Sequence, residues 1–327
     1  MSMKWLITGG CGFIGRSLIA KLISETGNQI RVLDNLSVGS REDLFEICDF
    51  TEKSPDECLE WGEAVELIVG DILSDITTLQ VCVGADVIVH LAANTGVGPS
   101  VDDPMSDCKT NVIGTLNVLE ACRSNSINRF VFASSGAPLG VQVPPLHEEM
   151  APHPASPYGA SKLAGEGYCS AYYHCFGVNT VVLRFGNVYG EGSKHKASVV
   201  AKFIKSAMNG EDLEIYGDGL QTRDFIHILD LVKAIYKAST IPDIGGEKFQ
   251  IASASETTVT ELVDLLLDRL EAEGISKPKV YNGEKRDGDV QRNFSDTSKA
   301  RDQLNWTAEI QLADGLSRTI KFFKNCN

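Results

Sequence analysis

Tyr158 and Lys162, in the stretch SPYGASKLAGE, stand four residues apart, so on a helix they share one face about one turn apart. A phenol with a reference pKa of about 10 is a poor base at neutral pH, and a neighbouring ammonium lowers that value by favouring the phenolate. The pair can then shuttle a proton. Alone, a YxxxK spacing more often marks a solvated helix face with a half-buried Tyr, so its surroundings decide. The apolar run at 130–133 ends in Ser134-Ser135, and the carboxyl edge of a parallel sheet is where this kind of architecture binds its ligands. A hydroxyl there can hydrogen-bond a substrate oxygen and pass its proton to the phenol.

A second constellation precedes it in the chain. Residues 5–8 run into Gly9-Gly10-Cys11-Gly12-Phe13-Ile14-Gly15 and then into the amphipathic stretch RSLIAKLI. A pyrophosphate needs backbone N–H groups at a helix N-terminus, and glycines let that backbone come close. Asp34 closes the next apolar run, where a carboxylate can accept hydrogen bonds from adenosine ribose hydroxyls and repel the extra phosphate of NADP. The positive ring of a bound nicotinamide would also help to lower the Tyr158 pKa. Asp71-Ile72 and Leu91-Ala92-Ala93, each after a further apolar run, lie where adenine and ribose would be lined, and Asn111 is expected on the cofactor side as well.

These residues need elements to hold them. The first half alternates short β-rich runs at 5–8, 30–34, 65–69, 87–91 and 130–133 with segments able to be helical, which predicts βαβ units and a parallel sheet. VIVHL and FVFA are continuous apolar runs, as strands buried on both faces are. The expected fold is α/β, a doubly wound parallel sheet of the Rossmann kind with a smaller mixed α/β lobe closing over the strand ends. Residues 1–185 plus about 224–255 should form the dinucleotide-binding domain, and about 186–223 plus 256–327 the lobe, with helices at 257–273 and 314–324. The charged stretch at 41–63 reads as a surface elaboration of a βα connection. No chemistry is assigned to it.

The 327 residues, 43% of them apolar and 7% aromatic, suffice for one large core and a smaller one. A net charge of −14 repels phosphodiester backbones and anionic membranes, so neither nucleic acid nor membrane is expected as a partner. The nine cysteines are scattered, without CxxC pairs or metal spacing, and no metal is expected. Such thiols fit a reduced, cytoplasmic compartment. No stretch approaches the roughly 18 apolar residues of a membrane span.

Taken together, TGGCGFIG, DNL, HLAA, the SS before GAPLG, YGASK, RFGNVYG and GDGLQTRDFIHILDL resemble the extended short-chain dehydrogenase family, and within it the UDP-galactose 4-epimerase-like group. The resemblance spans nearly the whole chain. It implies an NAD-dependent enzyme that epimerises a UDP-sugar at C4. By it, Gly9, Gly12 and Gly15 match the cofactor glycines, Asp34 and Asn35 the ribose contacts, and Asp71 the adenine-side acid. Ser135, Tyr158 and Lys162 fall on the catalytic group. Leu139 departs from the pattern, which usually has Tyr before the glycine. The resemblance also implies a homodimer formed through helices near 104–122 and 158–174.

It separates sister reactions too. Dehydratases of the family carry Asp-Glu directly after the catalytic hydroxyl, and decarboxylases keep a Glu nearby, whereas Gly136 and Ala137 stand here. On the substrate side, Ser134 is expected to contact the sugar, Arg223 and Arg286 match diphosphate-holding positions, Asn187 a nucleotide-sugar contact, and Asp289 an acid near the nucleotide ribose. Glucuronate epimerases tend to have Thr at the Asn187 position, which favours a neutral hexose. Asn293 takes the place of a gating residue that excludes N-acetyl groups when bulky. The rivals are a UDP-glucuronate 4-epimerase, another sugar-nucleotide epimerase or dehydrogenase of the family, and a non-catalytic NAD-sensing protein.

Overall fold

The computed structural model describes residues 3–58, 60–63, 65–196, 198–285 and 290–326. The chain forms two compact units, Met1–Val141 with Glu148–Arg184 and Val232–Phe249, and Gln142–His147 with Phe185–Leu231 and Gln250–Asn327. The return into the first unit is shorter than the expected 224–255. Phe225 packs in the core of the second unit, and the buried Asp224 carboxylate accepts hydrogen bonds from the Ser253, Ala254 and Ser295 amides. These bonds tie 224 and 253–254 to the second unit.

The first unit carries strands β1 (Lys4–Thr8), β2 (Gln29–Asp34), β3 (Phe50–Glu52), β4 (Val65–Val69), β5 (Val87–His90), β6 (Arg129–Ser135) and β7 (Thr180–Phe185). Later strands are β8 (Asn187–Tyr189), β9 (Leu213–Tyr216), β10 (Thr222–Arg223), β11 (Phe225–His227), β12 (Lys248–Ile251), β13 (Thr257–Thr258) and β14 (Val280–Gly283). Eight form one sheet in the order β12-β7-β6-β5-β1-β2-β4-β3. Pairs β1–β2, β1–β5, β2–β4, β3–β4 and β5–β6 are parallel. The order reverses between β1 and β5, and that switch point opens a crevice at the strands' carboxyl ends. The apolar runs seen in the sequence are buried as expected, with every residue of β5 covered.

Helices α1 (Phe13–Ile23), α2 (Arg41–Phe45), α3 (Asp75–Val81), α4 (Val97–Asp102), α5 (Pro104–Cys108), α6 (Thr115–Ser124) and α7 (Pro157–Phe176) belong to this unit, with a π-helical turn at Lys109–Gly114. Helix α7 starts where the Ser156 hydroxyl accepts the Gly159 amide and Pro157 supplies the first turn, and it ends at Gly177 in the left-handed region. Both are standard helix punctuation. Inside it Gly165 faces the Phe132 ring so closely that any Cβ would collide with it. That contact draws α7 down onto β6, which brings Tyr158 and Lys162 to the strand end.

The stretch at 41–63 is more than surface decoration. It supplies the edge strand β3, Lys53, whose Nζ lies 2.6 Å from Glu66, and Trp61, whose ring lies 4.0 Å from the Arg31 guanidinium. Arg31 and Glu66, paired at 2.8 Å, are both buried. The elaboration therefore neutralises and covers charges on β2 and β4, and a buried ion pair needs such extra partners to offset its desolvation.

Helix α8 (Val199–Met208) belongs to the second unit, α9 (Ile228–Thr240) starts in it, and α10 (Val259–Ala272), α11 (Ser298–Leu304) and α12 (Leu312–Asn325) complete it. Its core gathers Phe203, Ile204, Leu213, Ile215, Leu262, Leu266, Leu316 and Ile320. The expected helices at 257–273 and 314–324 are α10 and α12. Among the described residues no helix is long and apolar enough to cross a membrane.

Candidate active site

The glycine loop sits at the switch point. Gly9 has φ of +70°, and a Cβ on it would lie 2.7 Å from the Ala92 amide nitrogen, so the turn after β1 passes tightly over the end of β5. A Cβ at Gly15 would meet the Gly10 Cα at 2.5 Å and the Gly9 carbonyl oxygen at 2.6 Å. Only hydrogen fits. The N-cap of α1 is Gly12, no side chain caps it, and its first turn holds no acid. Its amides therefore face outward for an anion. Phe13 and Ile14 are half-buried beside them.

Asp34 is buried at the end of β2, and its carboxylate accepts the Cys11 amide at 2.9 Å and the Leu36 amide at 2.8 Å. Burial raises its pKa, with the two amides working against the rise. Asn35 donates to Asp71 at 3.0 Å, joining the ribose-side and adenine-side positions. A tight glycine turn, uncapped helix amides and a positioned acid match the pyrophosphate and ribose of a dinucleotide. Leu91, Ala92 and Ala93 are half-buried at the end of β5. Ile72 is different, because its side chain is buried in the core against Gly114 and its carbonyl accepts Asn117 at 3.0 Å.

Ser135 is the last residue of β6, and its hydroxyl accepts the Ala137 amide at 3.2 Å and favours ionisation of the Tyr158 phenol. Lys162, buried, donates to the Ala133 carbonyl at 2.9 Å, and its Nζ lies 6.0 Å from the Tyr158 ring centroid. The three catalytic candidates are thus assembled. Burial pushes the Tyr158 pKa up to about 12, and the Ser135 hydroxyl opposes the rise. This corrects the expectation that the neighbouring ammonium lowers it. Lys162 is committed to a carbonyl rather than to the phenol, and burial pulls its own pKa down to about 8.

Ser134 is the second correction. Its side chain is buried, and its hydroxyl donates to Glu166 at 2.6 Å instead of facing a substrate. Glu166 in turn accepts Arg184 Nε at 2.8 Å and Nη2 at 2.6 Å. Ser134 still lies within the covered sheet layer, whereas Ser135 is the last residue of the strand. Glu166 and Arg184 were not foreseen. The available signal was Glu166 one turn beyond Lys162 on the same helix face.

His90 was overlooked as well. Its Nδ1 lies 2.7 Å from Thr8 Oγ1 and its Nε2 3.0 Å from Thr115 Oγ1. Because Thr115 donates to the Asn111 carbonyl at 2.7 Å, it must accept from the imidazole, which places the proton on Nε2. Thr8 then donates to Nδ1 and accepts the Ala92 amide at 3.2 Å. Burial pulls the His90 pKa down to about 3, so the ring stays neutral and the chain of bonds stays intact. It links the loop after β5 to Asn111, whose own amide donates to Asn94 O, Asp107 and Ser161.

The remaining substrate-side candidates belong to the second unit. Arg223 Nη1 donates to the Thr222 and Val290 carbonyls, both at 2.7 Å. The Asn293 backbone N–H donates to Thr222 Oγ1 at 3.2 Å, so Arg223 and Asn293 converge on one threonine. Asn187 is exposed at the start of β8, and its backbone N–H donates to the Asp224 carbonyl at 2.8 Å. Arg286 and Asp289 lie outside the described residues. No cluster of metal-binding side chains occurs among the described residues.

The comparisons with known proteins agree with this geometry. A family model described as NAD dependent epimerase/dehydratase family matches residues 5–252. The chain is 34% identical over 328 residues to a UDP-glucose 4-epimerase of Mycolicibacterium smegmatis, with 99% of each chain covered. Among solved structures it is similar to a UDP-N-acetylglucosamine 4-epimerase from Methanobrevibacter ruminantium in complex with UDP-N-acetylmuramic acid, with TM-score 0.88, 29% identity and coverage of 100% and 99%. It is also similar to a UDP-glucose 4-epimerase with UDP-glucose from Thermotoga maritima, with TM-score 0.87, 33% identity and 99% of each chain covered.

Proposed function

We propose that this chain, which belongs to the NAD dependent epimerase/dehydratase family, interconverts the two C4 epimers of a UDP-hexose or UDP-N-acetylhexosamine. The observation that carries the reading is Ser135, the last residue of β6, with the buried Tyr158 phenol it acts on and Lys162 anchored on the same strand, and no acid directly after Ser135. Without an acid to expel a hydroxyl, returning the same hydride is the simpler outcome.

NAD, when bound, would supply the hydride acceptor and donor for C4 and a positively charged ring. The amides at the start of α1 hold the pyrophosphate, and Asp34 accepts from the ribose and excludes a 2′-phosphate. Tyr158 takes the O4 proton, directly or through Ser135. At pH 7 a phenol with a pKa near 12 is only about one part in 10⁵ ionised, so the chain's own residues leave Tyr158 a weak base until the site is loaded. Lys162 holds the nicotinamide ribose. The resulting 4-keto sugar turns about its diphosphate linkage, and Tyr158 returns the proton to the epimeric oxygen. Arg223 and Arg286 are assigned to the diphosphate, Asn187 and Asp289 to the nucleotide sugar, and Asn293 to the space beside C2.

We assign the chain to a homodimer in the cytoplasm. The α5–α6 segment and α7 expose Met105, Ile113, Tyr168 and Phe176, an apolar face suited to self-association, and the nine cysteines are free thiols. The test is product analysis of the purified protein against UDP-hexoses, their N-acetyl forms and UDP-glucuronate. Interconversion of C4 epimers without net NADH supports the reading, whereas stoichiometric NADH accumulation makes the protein a dehydrogenase.

A further inference from the structure

The first turn of α7 leaves one donor that its own helix cannot satisfy. The leading N–H groups of a helix have no acceptor inside it, and each needs a partner elsewhere when it is shielded from water. Pro157 has no N–H, Gly159 donates to the Ser156 hydroxyl at 3.1 Å, and the Ala160 N–H reaches the Ser156 carbonyl at 2.9 Å. Tyr158 is left. Its N–H donates at 3.1 Å to the hydroxyl of Ser100, 58 residues away in the chain.

Ser100 lies on α4 and is 2% exposed. Its proton goes to the Val97 carbonyl at 2.7 Å, so toward Tyr158 the oxygen can only accept, and both roles of the hydroxyl are fixed. The stretch that carries α4 is closed on itself, because the Asn94 N–H donates to Asn111 Oδ1 at 2.8 Å and Asn111 Nδ2 donates to the Asn94 carbonyl at 2.9 Å. Asn111 Nδ2 also reaches the Ser161 hydroxyl at 3.2 Å, and that hydroxyl donates to the Tyr158 carbonyl at 3.1 Å. One closed loop therefore holds the Tyr158 main chain at its N–H directly and at its C=O through Ser161. Next in the chain, Gly159 packs so tightly that a Cβ would lie 2.7 Å from the Ala137 carbonyl oxygen, and the Ala137 amide is bonded to Ser135. The turn that carries the phenol is thus pinned both to α4 and to the residues following β6.

We propose that Ser100 is a positioning residue: by holding the Tyr158 N–H it sets the first turn of α7 and with it the reach of the phenol to the sugar oxygen. The inference rests on Tyr158 being the proton-transfer group of the proposed reaction. Replacing Ser100 by alanine keeps a small side chain there but leaves the Tyr158 N–H without its acceptor, so the turn must shift or admit water to satisfy it. A misplacement of about 1 Å at a reacting group costs about 100-fold in rate. The substitution leaves the glycine loop, Asp34 and Arg223 as they are, so the loss should fall on kcat and not on NAD content or on KM for the sugar nucleotide. A serine that only stabilised the fold would behave differently. Its loss would lower stability and the yield of loaded enzyme, with kcat per bound NAD unchanged.

The experiment is the steady-state kinetics of Ser100→Ala and Ser100→Thr with NAD bound, each rate expressed per bound NAD. In Ser100→Ala kcat should fall by about 10- to 100-fold with KM within about twofold of wild type, and Ser100→Thr, which keeps the hydroxyl, should recover most of the loss. Wild-type kcat per bound NAD in Ser100→Ala would overturn the proposal, as would a threonine variant no better than the alanine. Amide hydrogen exchange of the wild-type holoenzyme, read by NMR, gives a second measure that does not depend on a variant folding. The Tyr158 N–H should be protected at least as well as that of Gly159, and exchange at the rate of an unbonded first-turn amide would overturn the proposal. A wild type inactive on every UDP-sugar refutes the epimerase reading, while the Tyr158 exchange rate tests the Ser100 contact by itself.

Discussion

The glycine loop after β1 and the Ser135–Tyr158–Lys162 region lie at the carboxyl ends of neighbouring parts of one sheet, yet they use different parts of the chain. The loop works with backbone. Its amides face outward at the start of α1, and its glycines are fixed by contacts too tight for a Cβ. The catalytic region works with buried side chains, whose charges and hydrogen bonds are matched over long sequence separations, as in Ser134–Glu166–Arg184. The first is governed by shape and the second by electrostatics in a poorly solvated interior. Faults in the two regions should therefore look different.

The largest expected effect is on the side-chain region. Glu166→Ala leaves the Arg184 guanidinium buried without its partner, and breaking a buried pair in this way costs about 3–5 kcal/mol. Chemical denaturation should show a loss of that size, and a loss below about 1 kcal/mol would mean that water or a rearranged neighbour takes over the guanidinium. Gly15→Ala probes the backbone region. Overpacking costs about 1–3 kcal/mol, which is roughly 10- to 100-fold in affinity if it falls on the bound state. Purified Gly15→Ala should carry less NAD than wild type and, because the clash is with the chain's own Gly9 and Gly10 backbone, should also lose about 1–3 kcal/mol of stability; equal NAD content and equal stability would remove the close approach from the account.

Asp34 joins the two modes, a side chain held by backbone amides. Cofactor released from denatured wild type should be NAD(H), and Asp34→Ala should narrow the preference over NADP by about tenfold or more through relief of like-charge repulsion. Mostly NADP(H) in the wild type would contradict this. The smallest effect is expected at Asn293 in the second unit, whose backbone is anchored to Thr222. Asn293→Tyr should lower kcat/KM for UDP-N-acetylglucosamine relative to UDP-glucose by about tenfold, the scale of filling a pocket with a few extra atoms. An unchanged ratio would move the gate elsewhere.

The same division explains what could be read from the sequence. VIVHL and FVFA announce strands buried on both faces, and the glycines followed by Asp34 announce a loop whose requirements are local, so both were legible. YxxxK was legible as a spacing. Its electrostatics were not, because the Tyr158 pKa depends on burial and on Asp107, far away in the chain and brought close only by α5 packing on α7. Ser134 failed for a related reason, since its partner Glu166 is visible only once α7 lies on β6. The strand β3 hid in a charged stretch because an edge strand exposing two of its three residues has no apolar run to reveal it.

The most direct test of the central claim, that Tyr158 handles the O4 proton in a site built for NAD, is Tyr158→Phe. The substitution removes one oxygen and leaves the glycine loop and Asp34 untouched. Measured together, bound NAD should match the wild type while turnover falls by at least about two orders of magnitude. Wild-type turnover in that variant would remove Tyr158 from the chemistry and contradict the account.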